Sequence, residues 1–450
     1  MKRLARSCGI SLATWLAGLM LVMALPVGNV VLAASVERRI TIRDGHELVV
    51  VVRKLIAAGE YDAARQVIRA WHPTEATYPY RVRYVEGLIE KAKGNFPQAI
   101  AVFRDILAER PDFTFVRLDL ANTLYLAKDD EAAKYQAGLL IAAGVDDQIG
   151  GGLKTMVGDI DSRRPVRFRG FFSLLPSSNL NSGTDKEVIY VGGLPFVIDS
   201  GQRRKSGVGV VAGGEVLLRH QINDRVAAVG SASLVARMYP SIGRVDLSVD
   251  ASAGVETRFD RGVMTLSLIG KQDFADMDSQ FRSYGGQVEG SRYVGESGRV
   301  YGNLAVTMRD YLGSEVRDGW RAELAGSYDY FIDPSRFVRL LGGAIYEDAK
   351  DDAFSFTELS AGLGMYSEIA WGVTAYVQGL YAQRNYQAPM AVFGVRKDDR
   401  FEAQVTLTKR DLVLYGLAPQ VTYSFVRNIS TSPFDDYSAH GVNLRFVRDF

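Results

Sequence analysis

The spacing of apolar residues along this chain changes once, near residue 165. Before that point apolar residues recur at helical spacing, and after it apolar and polar residues alternate. The alternation is clearest over residues 245–259, where Val245, Leu247 and Val249 begin one face and polar residues lie between them. The pattern predicts a helical domain followed by a β-rich domain whose strands have one apolar and one polar side.

The alternating part of the chain divides into fourteen predicted strands. About 20 residues are available for each strand with its connection, which suits membrane strands of ~10 residues plus turns. The strands are predicted at residues 166–175, 206–220, 226–239, 244–259, 263–272, 283–294, 299–310, 319–331, 337–348, 355–368, 373–385, 400–408, 418–428 and 440–450. An even count returns the chain to the side on which it began.

The last predicted strand indicates how such a sheet ends. Its apolar face carries Val442, Leu444 and Phe446, and it runs to Phe450. Hydrocarbon offers no partner to an unpaired strand edge, so we predict a closed barrel with these four residues at its closure. A soluble sandwich would show the same alternation in any one strand, so the number of strands carries the prediction.

The connections between predicted strands differ in length on the two sides. Short turns are predicted at residues 223–225, 260–262, 295–298, 333–335 and 370–372. Longer loops are predicted at residues 176–205, 271–282, 387–399 and 428–439. Short periplasmic turns and long outer loops are typical of outer-membrane barrels, so the helical domain is expected in the periplasm.

The helical part, residues 45–143, repeats with a period near 34. Aligning its helix-turn-helix units places Ala64 over Ala99 and Ala133, which is typical of tetratricopeptide (TPR) repeats. The residues predicted to pack these repeats are Tyr61, Ala64, Gly94, Phe96, Ala99, Pro111 and Ala133. Such repeats form a concave surface that binds an extended chain or a partner protein, and the alternative is an inert helical plug or spacer.

Two flanking segments complete the predicted domain organisation. Residues 1–34 have a basic start and an apolar run, which indicates a secretory signal peptide; an uncleaved membrane anchor is the alternative. Residues 144–164 show no sustained periodicity and are interpreted as a linker to the barrel at 165–450. The predicted fold is therefore α+β multidomain, with N-terminal all-α TPR-like repeats followed by a C-terminal 14-stranded antiparallel transmembrane β-barrel.

Composition and scattered side chains give no support to several kinds of chemistry. Lys and Arg number 53 against 52 Asp and Glu, so nothing favours a nucleic-acid partner. Cys8 lies in the predicted signal, and the four histidines lack ligand spacing. His440 near Ser438 could suggest a lipase, but a histidine at a strand start is commoner. We expect no enzyme activity, no cofactor and no metal site.

The predicted inner face of the barrel carries both signs of charge, including Arg167, Arg169 and Glu215. Opposed charges more often brace a lumen by pairing, whereas an ion-selective pore favours one sign. This favours a barrel that handles protein over a simple ion-selective porin.

Several short motifs resemble the surface lipoprotein assembly modulator (Slam) family of Gram-negative outer membranes. They are Phe168-Arg169-Gly170-Phe171-Phe172, Pro176-Ser177-Ser178-Asn179-Leu180-Asn181, Gly192-Gly193-Leu194-Pro195-Phe196, Ser206-Gly207-Val208-Gly209, Lys409-Arg410-Asp411, Pro419-Gln420-Val421-Thr422-Tyr423 and the closing strand. The order of signal peptide, short TPR domain and barrel with a long first loop is also similar to that family.

The resemblance implies a translocon that delivers lipoproteins, or related secreted proteins, across the outer membrane to the cell surface. It implies a client protein, periplasmic chaperones that deliver it and outer-membrane lipid as partners. The residues expected to contact the client or line the lumen are Asn179, Asn181, Leu194, Pro195, Phe196, Arg167 and Arg169. For the first long loop the alternative is a tight turn with one buried Phe, and for the whole chain it is an exopolysaccharide exporter or a passive diffusion porin.

Overall fold

A computed structural model describes residues 45–71, 76–163, 165–191, 194–390, 393–410, 412 and 417–447. The predicted signal peptide at residues 1–34, the Gly192-Gly193 pair and the closing residue Phe450 lie outside these ranges.

The N-terminal domain is a stack of antiparallel helix pairs. Its helices are α1 (Gly45–Ala57), α2 (Tyr61–Ala70), α3 (Tyr78–Ala92), α4 (Phe96–Glu109), α5 (Thr114–Leu126), α6 (Asp130–Ala142) and α7 (Asp147–Arg163). Helices α1 to α6 pair in sequence order, which matches the three predicted repeats. The prediction of TPR-like repeats is confirmed.

Small residues and aromatic rings fill the seams between the helices, as the repeat pattern predicts. Ala64, Ala99 and Ala133 are fully buried in one core with Phe103, and the ring of Tyr61 packs against that core. A methyl group at these positions lets neighbouring helices approach closely. Gly94 ends α3 with a φ of +81°, a left-handed conformation that favours glycine, while Phe96 begins α4 half-buried.

The segment interpreted as a linker, residues 144–164, is instead mostly helical. Helix α7 runs from Asp147 to Arg163 and buries Leu153, Met156 and Ile160 in the repeat core. These three apolar residues lie at helical spacing, and burying them stabilises the helix despite the glycines at its start. The interpretation of this stretch as a linker is wrong: it caps the repeat stack and leads directly into the first strand.

The C-terminal domain is a closed antiparallel barrel of fourteen strands, so the predicted fold class is confirmed. Its strands are β1 (Val166–Ser177), β4 (Gly207–Gln221), β5 (Val226–Tyr239), β6 (Arg244–Phe259), β7 (Gly262–Ala275), β8 (Asp278–Val294), β9 (Gly298–Tyr311), β10 (Gly319–Asp333), β11 (Arg336–Ala349), β12 (Phe356–Ile369), β13 (Val373–Met390), β14 (Gly394–Lys409), β15 (Ala418–Ser430) and β16 (Tyr437–Val447). The short strands β2 (Val188–Val191) and β3 (Leu194–Val197) form a separate hairpin in the first loop.

Two of the predicted long loops are in fact continuations of the strands. The loop predicted at residues 271–282 is a tight turn, because β7 extends to Ala275 and β8 starts at Asp278. Asp276 and Met277 turn the chain with positive φ values of 51° and 70°. The loop predicted at residues 387–399 is likewise mostly ladder. The alternation of apolar and polar residues ends at the edge of the lipid, whereas backbone pairing between the strands continues without that alternation. The strands are therefore longer than the alternation predicts.

The barrel presents apolar side chains outward along its strands. Leu268 is 73% exposed and Leu359 is 61% exposed, and Leu359 lies between the less exposed polar residues Glu358 and Ser360. Such a continuous apolar exterior is stable only against hydrocarbon, so the barrel lies in the outer membrane with the helical domain in the periplasm.

Among the helices that the structure describes, none has the length and apolar character needed to cross a membrane.

Gly87 on α3 and Gly138 on α6 form a matched pair for testing the repeat packing. A Cβ atom at Gly87 would lie 2.5 Å from the Phe103 ring, which is fully buried and cannot move aside cheaply. We expect Gly87→Ala to lower the free energy of unfolding of the helical domain by about 1–3 kcal/mol. Gly138→Ala meets nothing within 4 Å and should raise that free energy by about 0.5–1 kcal/mol. Urea unfolding followed by circular dichroism measures both, and equal destabilisation by both variants would contradict the packing.

Candidate functional site: the helical domain at the barrel mouth

The helical domain is seated on the periplasmic mouth of the barrel through an apolar patch. Leu139 and Ala142 of α6 pack among aromatic rings at the ends of three strands. The rings of Phe337 and Tyr366 stack with centroids 4.8 Å apart, and Phe331 lies 5.0 Å from Phe337. Each of these residues is at least nine-tenths buried, so the patch excludes water and attaches the repeats to the wall.

A buried ion cluster lies beside this patch. The guanidinium of Arg117 on α5 donates two hydrogen bonds to the carboxylate of Glu368 on β12, at 3.0 and 2.7 Å. Arg410, just after β14, donates to the same carboxylate at 2.7 Å. The side chains of Arg117 and Glu368 are both fully buried. One carboxylate thus holds a helix of the repeat domain and the turn between two barrel strands.

The two terminal nitrogens of Arg117 also donate hydrogen bonds within the helical domain. Its guanidinium donates to Gln136 at 2.8 Å and to the carbonyl of Pro111 at 2.9 Å. Burial lowers the pKa of Arg117, but the adjacent Glu368 carboxylate outweighs burial and raises it above its ordinary value. Arg117 therefore stays charged at all physiological pH values. The hydrogen bond from Arg117 to the carbonyl group of Pro111 also fixes the position of that proline.

A tyrosine pair continues the contact. The hydroxyl groups of Tyr135 on α6 and Tyr366 on β12 form a hydrogen bond, and Tyr366 also donates to Glu368 at 3.2 Å. Burial raises the pKa of Tyr135 to about 12, so its hydroxyl remains protonated. The two tyrosine hydroxyl groups and the Glu368 carboxylate are thus linked by hydrogen bonds within the interface.

A second ionic contact joins the last helix to the wall. Asp161 on α7 accepts hydrogen bonds from Lys134 at 2.5 Å and from Arg258 of β6. Burial alone would raise the pKa of the Asp161 carboxyl, but Lys134 and Arg258 together lower it below its ordinary value. Arg258 also pairs with Glu256, which in turn holds Arg219 at 2.6 Å. A chain of alternating charges therefore runs from the repeat domain into the barrel.

The two arginines predicted to line the lumen lie near a third contact. Arg167 and Arg169 project from β1 toward Glu131 of α6, at 3.4 and 3.7 Å. Arg169 also lies 3.7 Å from Glu215 on the neighbouring strand. The structure therefore brings both arginines to the helical domain at the base of the wall.

Ion pairs brace the rest of the inner wall. Arg299 and Arg339 converge on Asp329, and Arg309 and Arg321 converge on Glu347. Further pairs are Arg384–Glu358, Arg400–Glu402 and Arg396–Asp398. The inner wall therefore has no field of one sign along these strands, which is the arrangement that the mixed charges predict.

The asparagines of the first long loop hold that loop in place. The amide of Asn179 is buried and donates to the carbonyl groups of Gly183 at 2.8 Å and Ser438 at 3.0 Å. Asn181 donates to the carbonyl of Arg203 at 2.8 Å and accepts from the backbone of Lys205 at 2.9 Å. Both asparagine side chains therefore form hydrogen bonds within the first long loop, and Asn179 also bonds β16.

The apolar residues of the same loop lie on the β2–β3 hairpin and are exposed. Leu194 is 64% exposed and Phe196 is 49% exposed, with Pro195 between them also exposed. The alternative of a tight turn with one buried Phe is therefore wrong. The structure does not bring this hairpin together with Arg167 and Arg169, which lie at the opposite end of β1.

The predicted closure residues lie on β16. Leu444 pairs with Leu174 across the closure of the barrel, whereas Val442 and Phe446 pair with Tyr423 and Pro419 of β15. Within the residues described, no group of three or more His, Cys, Asp or Glu side chains is arranged to hold a metal ion.

Sequence reasoning missed the residues that dock the two domains. Arg117 and Glu368 are 251 positions apart, and no local pattern connects them. A signal for Arg117 existed, because it lies on α5 between the buried apolar residues Val116 and Leu120. Arg410 belongs to the Lys409-Arg410-Asp411 motif, from which no docking contact was predicted.

Comparisons with known proteins agree on one family. Residues 167–450 match the family model described as surface lipoprotein assembly modifier, and residues 46–137 match the model of its N-terminal TPR repeats. A surface lipoprotein assembly modifier 1 of Haemophilus influenzae is 22% identical over 422 residues, covering 89% of this chain and 84% of that protein. Its namesake in Neisseria meningitidis is 21% identical, covering 82% and 75%.

Solved structures with a similar fold are outer-membrane barrels. The channel DcaP of Acinetobacter baumannii covers 62% of this chain and 96% of its own, with 9% identity and a TM-score of 0.38. OccK1 of Pseudomonas aeruginosa covers 62% and 98%, with 12% identity and a TM-score of 0.37.

Removing Arg117 should loosen the docked domain. Arg117→Ala leaves a fully buried carboxylate with Arg410 as its remaining cation, which should cost the docked state about 3 kcal/mol. Hydrogen exchange of α5 and α6 in detergent measures the loss. The control is Arg83→Ala, which breaks a half-exposed ion pair with Glu109 and should cost less than about 1 kcal/mol. Equal exchange in both variants would show that the cluster does not hold the domain.

The Asp161 contact predicts how docking depends on pH. Because its pKa is lowered in the folded protein, its contribution is present above the unfolded pKa of about 3.9 and is lost as pH falls through the folded value. Docking should therefore be constant from about pH 8 to pH 5 and weaken below about pH 4. The rate of pepsin cleavage between α6 and β1 measures the loss of docking at low pH. In Asp161→Asn this rate should no longer rise as the pH falls because of this carboxyl group. An unchanged rise in that variant would count against the assignment.

Proposed function

The chain belongs to the surface lipoprotein assembly modifier (Slam) family, and we propose that it is the outer-membrane translocon that delivers lipoproteins, or related secreted proteins, to the cell surface. The observation that carries the proposal is a TPR domain docked across the periplasmic mouth of a closed barrel. TPR surfaces bind extended chains, and the barrel offers such a chain a route through the membrane. The chain is proposed to act without breaking a covalent bond.

The contacts of the helical domain surround the mouth rather than touching one side of it. They reach β1 through Glu131, β6 through Asp161 and β12 through Arg117. Between β8 and β9 the backbone of Gly144 approaches Glu296 so closely that a Cβ atom would lie 2.2 Å from its carbonyl oxygen. A protein chain could enter the lumen only after some of these contacts open.

The energetics of the interface suit a gate that a client opens. Breaking a buried ion pair costs about 3–5 kcal/mol, which keeps the domain docked when no client is present. A client that binds the repeats about 10³-fold more tightly in the undocked state would offset about 4 kcal/mol. In this proposal, client binding and barrel opening are therefore coupled through Glu368.

The lumen chemistry favours protein over the two alternatives. A polysaccharide exporter or a selective diffusion pore gains from a field of one sign, whereas this wall pairs its charges around Asp329, Glu347 and Glu358. An internally neutralised wall holds no strong site for either sign, so a polypeptide of mixed charge can slide along it. This supports the translocon and is the reason for preferring it.

Deleting the protein tests the proposal. We expect its client lipoprotein to remain inside the cell, where protease added to intact cells cannot reach it, while its total amount is unchanged. Re-expressing the full chain should restore surface exposure. Unchanged exposure of every candidate lipoprotein in the deletion strain would reject the proposal, and loss of a secreted polymer instead would favour the exporter.

Conductance in planar bilayers separates a gated translocon from a passive pore. We expect the wild-type protein to be mostly closed, and Glu368→Gln to raise the open fraction because Arg117 and Arg410 lose their shared partner. Glu358→Gln is the matched control: it lies on the same strand, pairs with Arg384 of the wall and makes no bond to the helical domain. Large steady currents through the wild-type protein would favour the diffusion pore.

A further inference from the structure

The pairing of charges along the inner wall is incomplete at its outer end, where β5 and β6 meet. Arg237 of β5 faces Asp246 of β6, but that carboxylate accepts a hydrogen bond from Arg244 at 2.7 Å. Arg237 donates instead to the hydroxyl group of Ser248, at 3.3 Å. Among the residues that the structure describes, no carboxylate lies within ion-pair distance of Arg237. Its charge is therefore available to a group from outside the wall.

A second arginine of this kind lies in the connection between β9 and β10. Arg317 is exposed, and its guanidinium lies 4.3 Å from the centre of the Tyr311 ring and 5.7 Å from that of Phe354. In the described parts of the chain, no Asp or Glu side chain pairs with Arg317. The two rings hold its planar guanidinium on their faces, which leaves the N–H groups along its edge open to an acceptor.

Two neighbouring cavities at the outer end of the lumen contain these arginines. Arg237 lines the first, of about 410 Å³, and Arg317 lines the second, of about 320 Å³. The cavities share Arg309 and Tyr311 and are therefore continuous along the wall. Arginine and lysine outnumber carboxylates in both linings, and Glu347 is the only carboxylate among the described residues that line the second. The cavities together are an excess of positive charge.

Two buried donors at the same place lack an acceptor. Arg309 and Arg321 both pair with Glu347, at 2.8 and 3.5 Å, and Arg321 also pairs with Glu323 at 2.8 Å. Even so, the Nε–H group of each arginine is buried and has no acceptor among the described residues. A buried charged donor without an acceptor is costly, so an acidic ligand that supplied one would be stabilised here.

Aromatic rings hold other arginines of the two cavities in place. The guanidinium of Arg309 lies 4.7 Å from the centre of the Phe281 ring, and that of Arg384 lies 4.3 Å from the centre of the Phe356 ring. A guanidinium that is stacked on a ring loses little conformational freedom when it binds a carboxylate. The arginines are therefore positioned before any ligand arrives.

The arginines face the lumen and not the lipid. Arg237 precedes Met238, and Arg309 follows Met308; both methionines are exposed on the outside of the barrel. Successive side chains of a strand point to opposite faces, so both arginines point inward. The phosphate groups of membrane lipids lie outside the wall. A polypeptide that moves through the barrel, in contrast, passes directly over these side chains.

We propose that the outer-lumen site, defined by Arg237, Arg309 and Arg317, binds the Asp and Glu side chains of an acidic segment of the client as that segment leaves the lumen. The inference rests on the proposed function. Arginine binds a carboxylate through two parallel N–H groups, and the rings between the arginines accept the apolar side chains of the same segment. Only two of these charges lack a carboxylate partner, so the site holds the emerging segment reversibly and hinders its return.

Binding of labelled hexaglutamate to the purified full chain in non-ionic detergent tests the site. The double variant Arg237→Gln with Arg317→Gln removes two arginines that pair with no carboxylate, so it leaves no acid of the wall unpaired. We expect fluorescence anisotropy at low salt to show binding that is weaker by about tenfold or more. Phe281→Leu keeps every charge but frees Arg309 from its ring, and should weaken binding by about threefold.

The matched control is Arg282→Gln. Arg282 lies next to Phe281 at the same end of β8, points to the other face of the sheet and pairs with Asp310 at 2.7 Å. This variant should bind hexaglutamate as the wild type does, and hexaglutamine should not bind. Equal losses in the control and the double variant would overturn the inference, because any positive charge would then serve. Displacement of the peptide by lipopolysaccharide at a lower concentration than by unlabelled hexaglutamate would assign the site to lipid phosphate and overturn it as well.

The two proposals fail in different ways. If deletion of the whole chain leaves surface exposure of every candidate lipoprotein unchanged, the proposed function is wrong, whatever hexaglutamate does on the purified protein. If deletion abolishes exposure, the function holds, and the double variant should then slow the appearance of the client at the surface by about threefold or more. Delivery at the wild-type rate by the double variant would overturn only the role of the outer-lumen site.

Discussion

The structure depends on one constraint: in hydrocarbon, every backbone N–H and C=O group must have a partner within the protein. A sheet satisfies this only by closing on itself, which is why β16 returns to β1 and why all fourteen strands are antiparallel neighbours in sequence order. The same constraint makes any interruption costly. Within the described residues, β16 meets β1 at Ser173, Leu174 and Ser177, and this contact closes the ring of strands.

Ion pairs, rather than backbone hydrogen bonds, fix the position of the helical domain on the barrel. Apolar contact between Leu139 and the rings of Phe337 and Tyr366 is strong but tolerates sliding. The bidentate contact between Arg117 and Glu368 does not allow such sliding, because its two parallel hydrogen bonds fix both the distance and the angle between the side chains. Buried pairs add little net stability compared with apolar contacts, and their value here is orientation of one domain on the other.

Sequence pattern predicted the architecture well because the two domains obey different periods. Alternation over residues such as 245–259 located the strands, and the 34-residue offset of Ala64, Ala99 and Ala133 located the repeats. Helix α7 was missed although Leu153, Met156 and Ile160 have helical spacing, because the preceding glycines dominated the interpretation. The contact between Arg117 and Glu368 could not be predicted from the sequence. Glu368 meets Arg117 only once both domains have folded, and no local rule of spacing records a contact between them.

The length of the strands on the outer side has a consequence for where a passenger emerges. Strand β8 has 17 residues, and at a rise of about 3.4 Å and a tilt of about 40° it stands roughly 44 Å tall. The apolar band of such a wall is only about 25 Å high. The hairpin of β7 and β8 therefore extends beyond the apolar band on the outer side of the membrane. A polypeptide that leaves the barrel beside this hairpin is shielded by it on one side.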